Sequence, residues 1–181
     1  MDHTKYLAIE FDGYAEVELL VAADASFADN DDRKSTQAYI MLLFGGPIAW
    51  KSNKQTIVTG STTEAELLSL TSATKEAMKI FRIFRDIQLD MGTGLTVYCD
   101  NQQALWVVMA EGQRIKTAMK HIDVPRLWMR QEYRRGTVNL KYIASADMPA
   151  DGLTKALTKQ QLHRFYQQIN LVDIQPLLTD Q

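Results

Sequence analysis

Four acidic residues stand at positions where a folded chain normally places an apolar residue or a helix cap. They are Asp24, Glu66, Asp100 and Asp151, each at the expected end of a strand or in the first turn of an expected helix. Hard cations such as Mg²⁺ require oxygen ligands, and two cations close together can hold the attacking and leaving oxygens of a phosphodiester. The four acids therefore indicate a two-metal nuclease site.

Glu66 is the most informative of the four, because its place in the expected helix can be compared with that of Glu64. On a helical wheel the apolar stripe of this helix lies within about 40° of Glu66, whereas Glu64 points to the opposite side. A buried carboxylate needs a cation or a hydrogen-bonding partner. A capping box between Thr63 and Glu66 is the structural alternative, but Ser61 and Glu64 offer the same box one register earlier. We therefore expect Glu66 to be a metal ligand.

The other three acids have structural alternatives when each is taken alone. Asp24 closes an expected strand, Asp100 precedes a helix that it could cap, and Asp151 lies in a first helical turn, where the dipole favours any acid. Together they mean more, because the carboxyl ends of adjacent strands and the starts of abutting helices converge in open α/β sheets.

A basic segment and one histidine are the candidates for binding a substrate. Residues 114–135 carry a net charge of +5 in a chain whose net charge is −2. Arg126 and Arg130 are four residues apart and would share one stripe of a helix, as binding to a phosphate backbone requires; an ordinary solvated helix face is the alternative. His121, at the head of this helix, could contact phosphate or transfer a proton. We predict substrate contacts from Lys120, His121, Arg126 and Arg130.

The elements that must position these residues are strands followed by alternating helices and strands. The expected strands cover 17–24, 36–44, 47–58, 95–100 and 137–143, and the expected helices 62–89, 101–111, 118–135 and 148–170. A Gly-Gly turn joins the second and third strands, so the first three are antiparallel, and the later strand-helix-strand order suggests a parallel unit. We expect an α/β fold in one domain over 13–170, with tails at 1–12 and 171–181.

The composition is that of one globular domain. A length of 181 residues with 46% hydrophobic residues is ample for a packed core. The sequence lacks the run of about eighteen apolar residues that a membrane span needs and the apolar core of a signal peptide, so we expect an intracellular protein without a membrane partner. The single cysteine, Cys99, excludes a disulfide framework and a cysteine-based zinc site, and its apolar neighbours predict a buried structural thiol.

Six short motifs in a fixed order resemble a known family. They are Asp31-Asp-Arg-Lys-Ser-Thr36, Gly45-Gly-Pro-Ile-Ala-Trp-Lys-Ser52, Ser61-Thr-Thr-Glu-Ala-Glu66, Tyr98-Cys-Asp-Asn-Gln102, Lys120-His-Ile-Asp123 and Ala150-Asp-Gly-Leu-Thr-Lys155. In this order they closely resemble the ribonuclease H domain at the end of the polyprotein of copia-type long-terminal-repeat retrotransposons. The resemblance covers roughly residues 18–160 and most of the chain.

The resemblance implies a fold, a reaction and a setting. It implies a five-stranded mixed sheet in the order 3-2-1-4-5 with helices on both faces, and it makes the four acids the ligands of two Mg²⁺ or Mn²⁺ ions. The family cleaves the RNA strand of RNA–DNA hybrids during reverse transcription, beside a reverse transcriptase domain, so we expect a place in the cytoplasmic virus-like particle of the element or in the nucleus. The alternative is an inactive module of the same fold that binds nucleic acid or a protein, but retention of all four acids favours activity.

Two departures from the family pattern are visible. Many ribonucleases H carry a histidine in the loop between the fifth strand and the last helix, but the loop 144–149 has none. We therefore expect His121 to take over part of that function, in turnover rather than in metal binding, with a purely structural role as the alternative. Gly60 and Gly152 also replace larger residues that are usual in copia-type elements.

Overall fold

The structure is a computed structural model that describes residues 4–13, 19–89, 91, 94–110 and 120–179. The strands in these residues are β1 (Leu7–Ile9), β2 (Leu20–Ser26), β3 (Thr36–Leu43), β4 (Gly46–Lys54), β5 (Leu95–Cys99), β6 (Val138–Tyr142) and β7 (Leu171–Asp173). The helices are α1 (Thr62–Asp86), α2 (Gln102–Met109), α3 (Lys120–Arg134), α4 (Asp151–Thr154), α5 (Lys159–Gln168) and α6 (Gln175–Thr179).

Five of the strands form the central sheet, in the order β4-β3-β2-β5-β6. The pairs β4-β3 and β3-β2 are antiparallel, whereas β2-β5 and β5-β6 are parallel. Strand β2 is central because its apolar residues are buried on both faces. Counted from β2, the order is the 3-2-1-4-5 that the resemblance implied, so the expected mixed sheet is confirmed.

One face of the sheet is covered by the long helix α1. Its apolar stripe, including Leu67, Leu70 and Ala73, is fully buried in the main core. The helix is also tied to the sheet by a polar side chain, since the hydroxyl of Ser69 lies 2.8 Å from the carbonyl oxygen of Asp24 and 3.0 Å from that of Ala38. These contacts fix the start of α1 against the middle of the sheet.

A smaller core covers the other face, below α4 and α5. Met148 and Ala150 pack there against Ala22 and Ile40 of the sheet. Both faces of β2 are therefore buried, as its apolar sequence predicted. No helix in the described ranges is both long and apolar enough to cross a membrane.

The termini differ from the expected tails. Strand β1 pairs with β7 in a separate antiparallel sheet, in which Ala8 faces Val172. The side-chain amide of Asn170 also donates to the carbonyl oxygen of Glu10 at 2.8 Å. The expectation of tails at 1–12 and 171–181 is therefore wrong for the described terminal residues, because strands of three residues are too short to show an alternating pattern.

Candidate metal centre

The topology of the sheet brings Asp24 and Asp100 to one edge. Strands β2 and β5 are parallel, with Ala22 paired to Tyr98, and each acid follows its paired residue by two positions. Asp24 lies inside β2, which continues to Ser26, so the expectation that it closes the strand is wrong. The antiparallel pairing with β3 extends the strand, because Asp24 pairs with Ala38.

The four predicted acids are brought together in two groups that share one member. Ligand atoms of Asp24, Asp100 and Asp151 lie within 4.8 Å of one another, and so do those of Glu66, Cys99 and Asp100. Asp100 belongs to both groups. The two groups would offer neighbouring sets of oxygen ligands for divalent cations, with Asp100 as a member of both sets.

Glu66 is buried and takes no part in capping its helix. Ser61 is the N-cap of α1 and accepts a hydrogen bond from the Glu64 amide, while the Glu64 carboxylate accepts one from the Gly60 amide at 2.7 Å. The capping box between Thr63 and Glu66 is thus excluded. Glu66 is only 6% exposed, as the helical wheel predicted.

The surroundings of Glu66 disfavour its ionised form. Burial, followed by the nearby charges of Asp24 and Asp100, raises the pKa of Glu66 from 4.5 to about 9. A divalent cation at this position would offset both effects and permit ionisation.

Only one of the two carboxylate oxygens of Asp24 has a hydrogen-bond partner among the described residues. One of its carboxylate oxygens accepts a hydrogen bond from the hydroxyl of Thr154. The other oxygen, Oδ1, is buried and has no hydrogen-bond partner among the described residues. Burial raises the pKa of Asp24 from 3.8 to about 6. An orphaned, buried carboxylate oxygen is costly, and a hard cation is the partner that suits it.

Lys155 provides a positive charge inside the group of acids. Its ammonium nitrogen lies 2.7 Å from Oδ1 of Asp151 and 3.7 Å from Oδ2 of Asp24. Although partial burial lowers the pKa of Lys155, the carboxylates of Asp151 and Asp24 raise it, and the net change is upward. Sequence reasoning gave no role to Lys155 or Thr154. The spacing of four residues between Asp151 and Lys155 could have indicated this ion pair, because residues four apart in a helix are neighbours.

Asp100 accepts a hydrogen bond from a residue distant in the sequence. The hydroxyl of Ser145 donates to its Oδ2 at 2.7 Å. Asn101, not Asp100, caps α2, since its side-chain oxygen accepts from the Ala104 amide at 2.9 Å. The capping alternative for Asp100 is therefore excluded. Sequence reasoning missed Ser145 because no local pattern connects it with Asp100.

Cys99 is the buried thiol that the sequence predicted, but it borders the acids. Its Sγ lies 4.0 Å from Oε2 of Glu66. Burial and the neighbouring Glu66 raise the pKa of the Cys99 thiol, which keeps it protonated. Hard cations such as Mg²⁺ prefer carboxylate oxygens to sulfur, so the four acids are the better ligand set for them.

The predicted substrate-binding side chains are distributed differently. Arg126 and Arg130 are 5% and 9% exposed, so the expectation that they form an exposed basic stripe is wrong. Arg130 donates to the carbonyl oxygens of Val107 and Val108 at 2.8 Å and 3.1 Å, because this side of α3 packs on α2. The side chains of Lys120 and His121 lie outside the described part of the structure.

Comparisons with known proteins agree with this architecture. No family model matches the sequence. The chain is 30% identical over 155 residues, 85% of its length, to the retrovirus-related Pol polyprotein from transposon RE2 of Arabidopsis thaliana. It is 34% identical over 139 residues, 76% of its length, to that from transposon TNT 1-94 of Nicotiana tabacum. It spans 10% of the length of each of these relatives.

Solved structures share the fold at low sequence identity. The N-terminal RNase H domain of rv2228c from Mycobacterium tuberculosis superposes with a TM-score of 0.54 at 14% identity, over 77% of this chain and 91% of that one. The chain has the ribonuclease H fold and is related in sequence to a segment of the copia-type retrotransposon Pol polyproteins. LC11-RNase H1, solved in complex with an RNA/DNA hybrid, gives a TM-score of 0.52 at 14% identity, over 75% of this chain and 93% of that one. The family and fold class that the six motifs implied are thereby confirmed.

Proposed function

We propose that this ribonuclease H domain is a metal-dependent endonuclease that cleaves the RNA strand of RNA–DNA hybrids. The observation that carries the proposal is the pair of ligand groups that share Asp100. When bound, two Mg²⁺ or Mn²⁺ ions would supply an activated water and stabilise the leaving 3′-oxygen. The retention of four convergent acids favours this function over the alternative, an inactive module that binds nucleic acid or a protein.

The residues of the chain divide the work of holding the ions. Asp24, Asp100 and Asp151 are the ligands proposed for one position, and Glu66 and Asp100 for the other. The hydroxyl of Thr154 orients Asp24 by donating to one of its oxygens. This hydrogen bond leaves Oδ1 of Asp24 available for a cation.

The ammonium group of Lys155 occupies the position of a positive charge next to two of the proposed ligands, Asp24 and Asp151. Its ammonium group is bound to the carboxylates of Asp24 and Asp151, which are proposed ligands. An ammonium and a divalent cation on the same carboxylates would repel each other, so a bound cation would weaken the contacts of the ammonium. The side chain is 42% exposed, which leaves it room to move towards solvent or a bound phosphate.

The proposed substrate and setting rest on the relatives. LC11-RNase H1 and the foamy viral protease-reverse transcriptase were both solved in complex with an RNA/DNA hybrid. A ribonuclease H recognises such a hybrid through 2′-hydroxyl contacts in the minor groove. Because the related sequences are Pol polyproteins, we propose that this domain works beside a reverse transcriptase domain, in the cytoplasmic virus-like particle or in the nucleus.

A cleavage assay on matched duplexes tests the proposal. The chain is incubated with an RNA–DNA hybrid, an RNA–RNA duplex and a DNA–DNA duplex of one sequence, each with Mg²⁺ and with a chelator. We expect cleavage of the RNA strand of the hybrid alone, and only with Mg²⁺. Binding of the hybrid without cleavage at any Mg²⁺ or Mn²⁺ concentration would favour the inactive module.

A further inference from the structure

The loop between β6 and α4, residues 144–149, brings a hydroxyl to the carboxylate that both ligand groups share. Ser145 donates to Oδ2 of Asp100 at 2.7 Å, across 45 positions of sequence. A hydrogen bond to an ionised acceptor is stronger than one between neutral groups. Because an aspartate carboxylate rotates freely about its last bond, a fixed donor on one oxygen also sets the direction of the other oxygen.

The loop that carries Ser145 is fixed at both ends. Just before it, the amide of Ile143 donates to the carbonyl oxygen of Cys99 at 3.1 Å, next to Asp100 in the chain. Near its far end, Met148 is only 1% exposed and is packed into the smaller core. The residues between these anchors are exposed, so other contacts must determine where the Ser145 hydroxyl lies.

Two side chains of α5 hold the exposed middle of the loop. Arg164 pairs with the carboxylate of Asp147 at 2.8 Å, and the side-chain amide of Gln168 donates to the carbonyl oxygen of Ala146 at 3.2 Å. Arg164 and Gln168 are four residues apart and therefore share one face of the helix. Arg164, Ser145 and Asp151 also border one hollow of about 200 Å³. The side chain that restrains the loop therefore lies close to Asp151, one of the proposed metal ligands.

We infer that Ser145 is a positioning residue that orients Asp100 for cation binding, and that Arg164 sets the position of Ser145 by clamping the loop to α5. The inference rests on the proposed function, because it concerns the affinity of the same carboxylates for their cations. Residues that hold a metal ligand in place typically change metal affinity or activity by 10- to 100-fold when they are removed. Asp100 belongs to both ligand groups, so its orientation affects both positions.

A stabilising role alone would give a different result. The pair between Arg164 and Asp147 is on the surface, with side chains 53% and 61% exposed. Exposed ion pairs contribute little to folding stability. Loss of Ser145 or Arg164 should therefore leave the unfolding transition nearly unchanged while it weakens the binding of cations.

Calorimetric titration with Mn²⁺ tests this inference without relying on activity. We expect Ser145→Ala to raise the dissociation constant for Mn²⁺ about tenfold and Ser145→Thr, which keeps the hydroxyl, to stay near wild type. Arg164→Ala should weaken binding less, and adding it to Ser145→Ala should produce little further loss, because both act on the same hydroxyl. Lys79→Ala is the matched control, since Lys79 forms an exposed pair of 2.8 Å with Glu76 on α1.

The possible results separate this inference from the proposed function. If the wild-type chain binds no Mn²⁺, the proposed function itself fails. If the wild type binds Mn²⁺ and Ser145→Ala binds it equally well, the positioning role of Ser145 is wrong. Weak binding by Ser145→Thr, as weak as by Ser145→Ala, would also overturn it. A loss in Lys79→Ala equal to that in Arg164→Ala would refute the clamping role.

Discussion

Glu66 should destabilise the protein when no divalent cation is bound, and replacing it should raise stability. Burial, followed by the charges of Asp24 and Asp100, raises its pKa from 4.5 to about 9 in the folded chain. The folded chain therefore retains a proton that the unfolded chain loses above about pH 4.5. The contribution of Glu66 to the free energy of unfolding is therefore greatest below about pH 4.5, falls as the pH rises, and levels off above about pH 9.

The size of this effect follows from the same two pKa values. Each pH unit by which the buffer exceeds the pKa of Glu66 in the unfolded chain lowers the free energy of unfolding by about 1.4 kcal/mol. The cost is therefore about 3 kcal/mol at pH 7 and about 6 kcal/mol at pH 9. Glutamine cannot ionise, so Glu66→Gln removes this cost. In a chain of this length, about 3 kcal/mol corresponds to a rise in melting temperature of roughly 6–12 °C.

Thermal unfolding in a chelator at pH 5, 7 and 9 measures the effect. The difference between Glu66→Gln and wild type should grow with pH. Glu64→Gln is the matched control on the same helix, and it should lower stability by about 0.5–1 kcal/mol because the Gly60 amide loses a charged acceptor. If Glu66→Gln melts at or below the wild-type temperature at pH 9, ionisation of the buried Glu66 does not destabilise the folded chain.

Three further variants test individual contacts. Lys155→Met should melt at a lower temperature than wild type in a chelator, because it loses the positive charge next to Asp24 and Asp151. In calorimetry it should bind Mn²⁺ about five- to tenfold more tightly, because the partly exposed ammonium competes with the cation. An unchanged affinity for Mn²⁺ would refute this competition. Arg130→Ala should cost about 1–3 kcal/mol in urea unfolding, since it removes the donor to two carbonyl oxygens of α2, and it should leave the salt dependence of hybrid binding unchanged. A flatter salt dependence in this variant would instead show that Arg130 contacts a phosphate. Gly152→Val should cost about 1–3 kcal/mol, because an added Cβ would clash with the Phe165 ring, whereas Gly60→Ala meets only the flexible side chain of Glu64 and should cost less. Equal melting temperatures for the two variants would contradict this packing.

Most of the central sheet could be predicted from the sequence, since long apolar runs and the Gly-Gly turn are local signals. The end of strand β2 could not be predicted, because pairing with β3 extends the strand beyond Asp24 to Ser26. The two short strands β1 and β7 carry no alternating signal of their own. Their pairing depends on a contact between the two ends of the chain, which only the folded structure reveals.

The acids of the candidate site could be predicted, but the groups that surround them could not. Glu66 was selected by its helical phase, which is a local property. The hydroxyl of Ser145 reaches Asp100 through the tertiary fold. The spacing of Arg126 and Arg130 correctly put them on one side of a helix, yet spacing does not show whether that side faces solvent or another helix. In the structure both are buried.

The most direct test of the central claim is single-turnover cleavage of an RNA–DNA hybrid by Asp100→Asn, with its fold confirmed by thermal unfolding. Asp100 is shared by both ligand groups, so its loss should impair both cation positions. Metal-ion stabilisation is worth several kcal/mol, so we expect a loss of about a thousandfold or more. Asp86→Asn, an exposed acid at the end of α1, should cleave at the wild-type rate. Cleavage by folded Asp100→Asn within a few-fold of wild type would contradict the proposed two-metal mechanism.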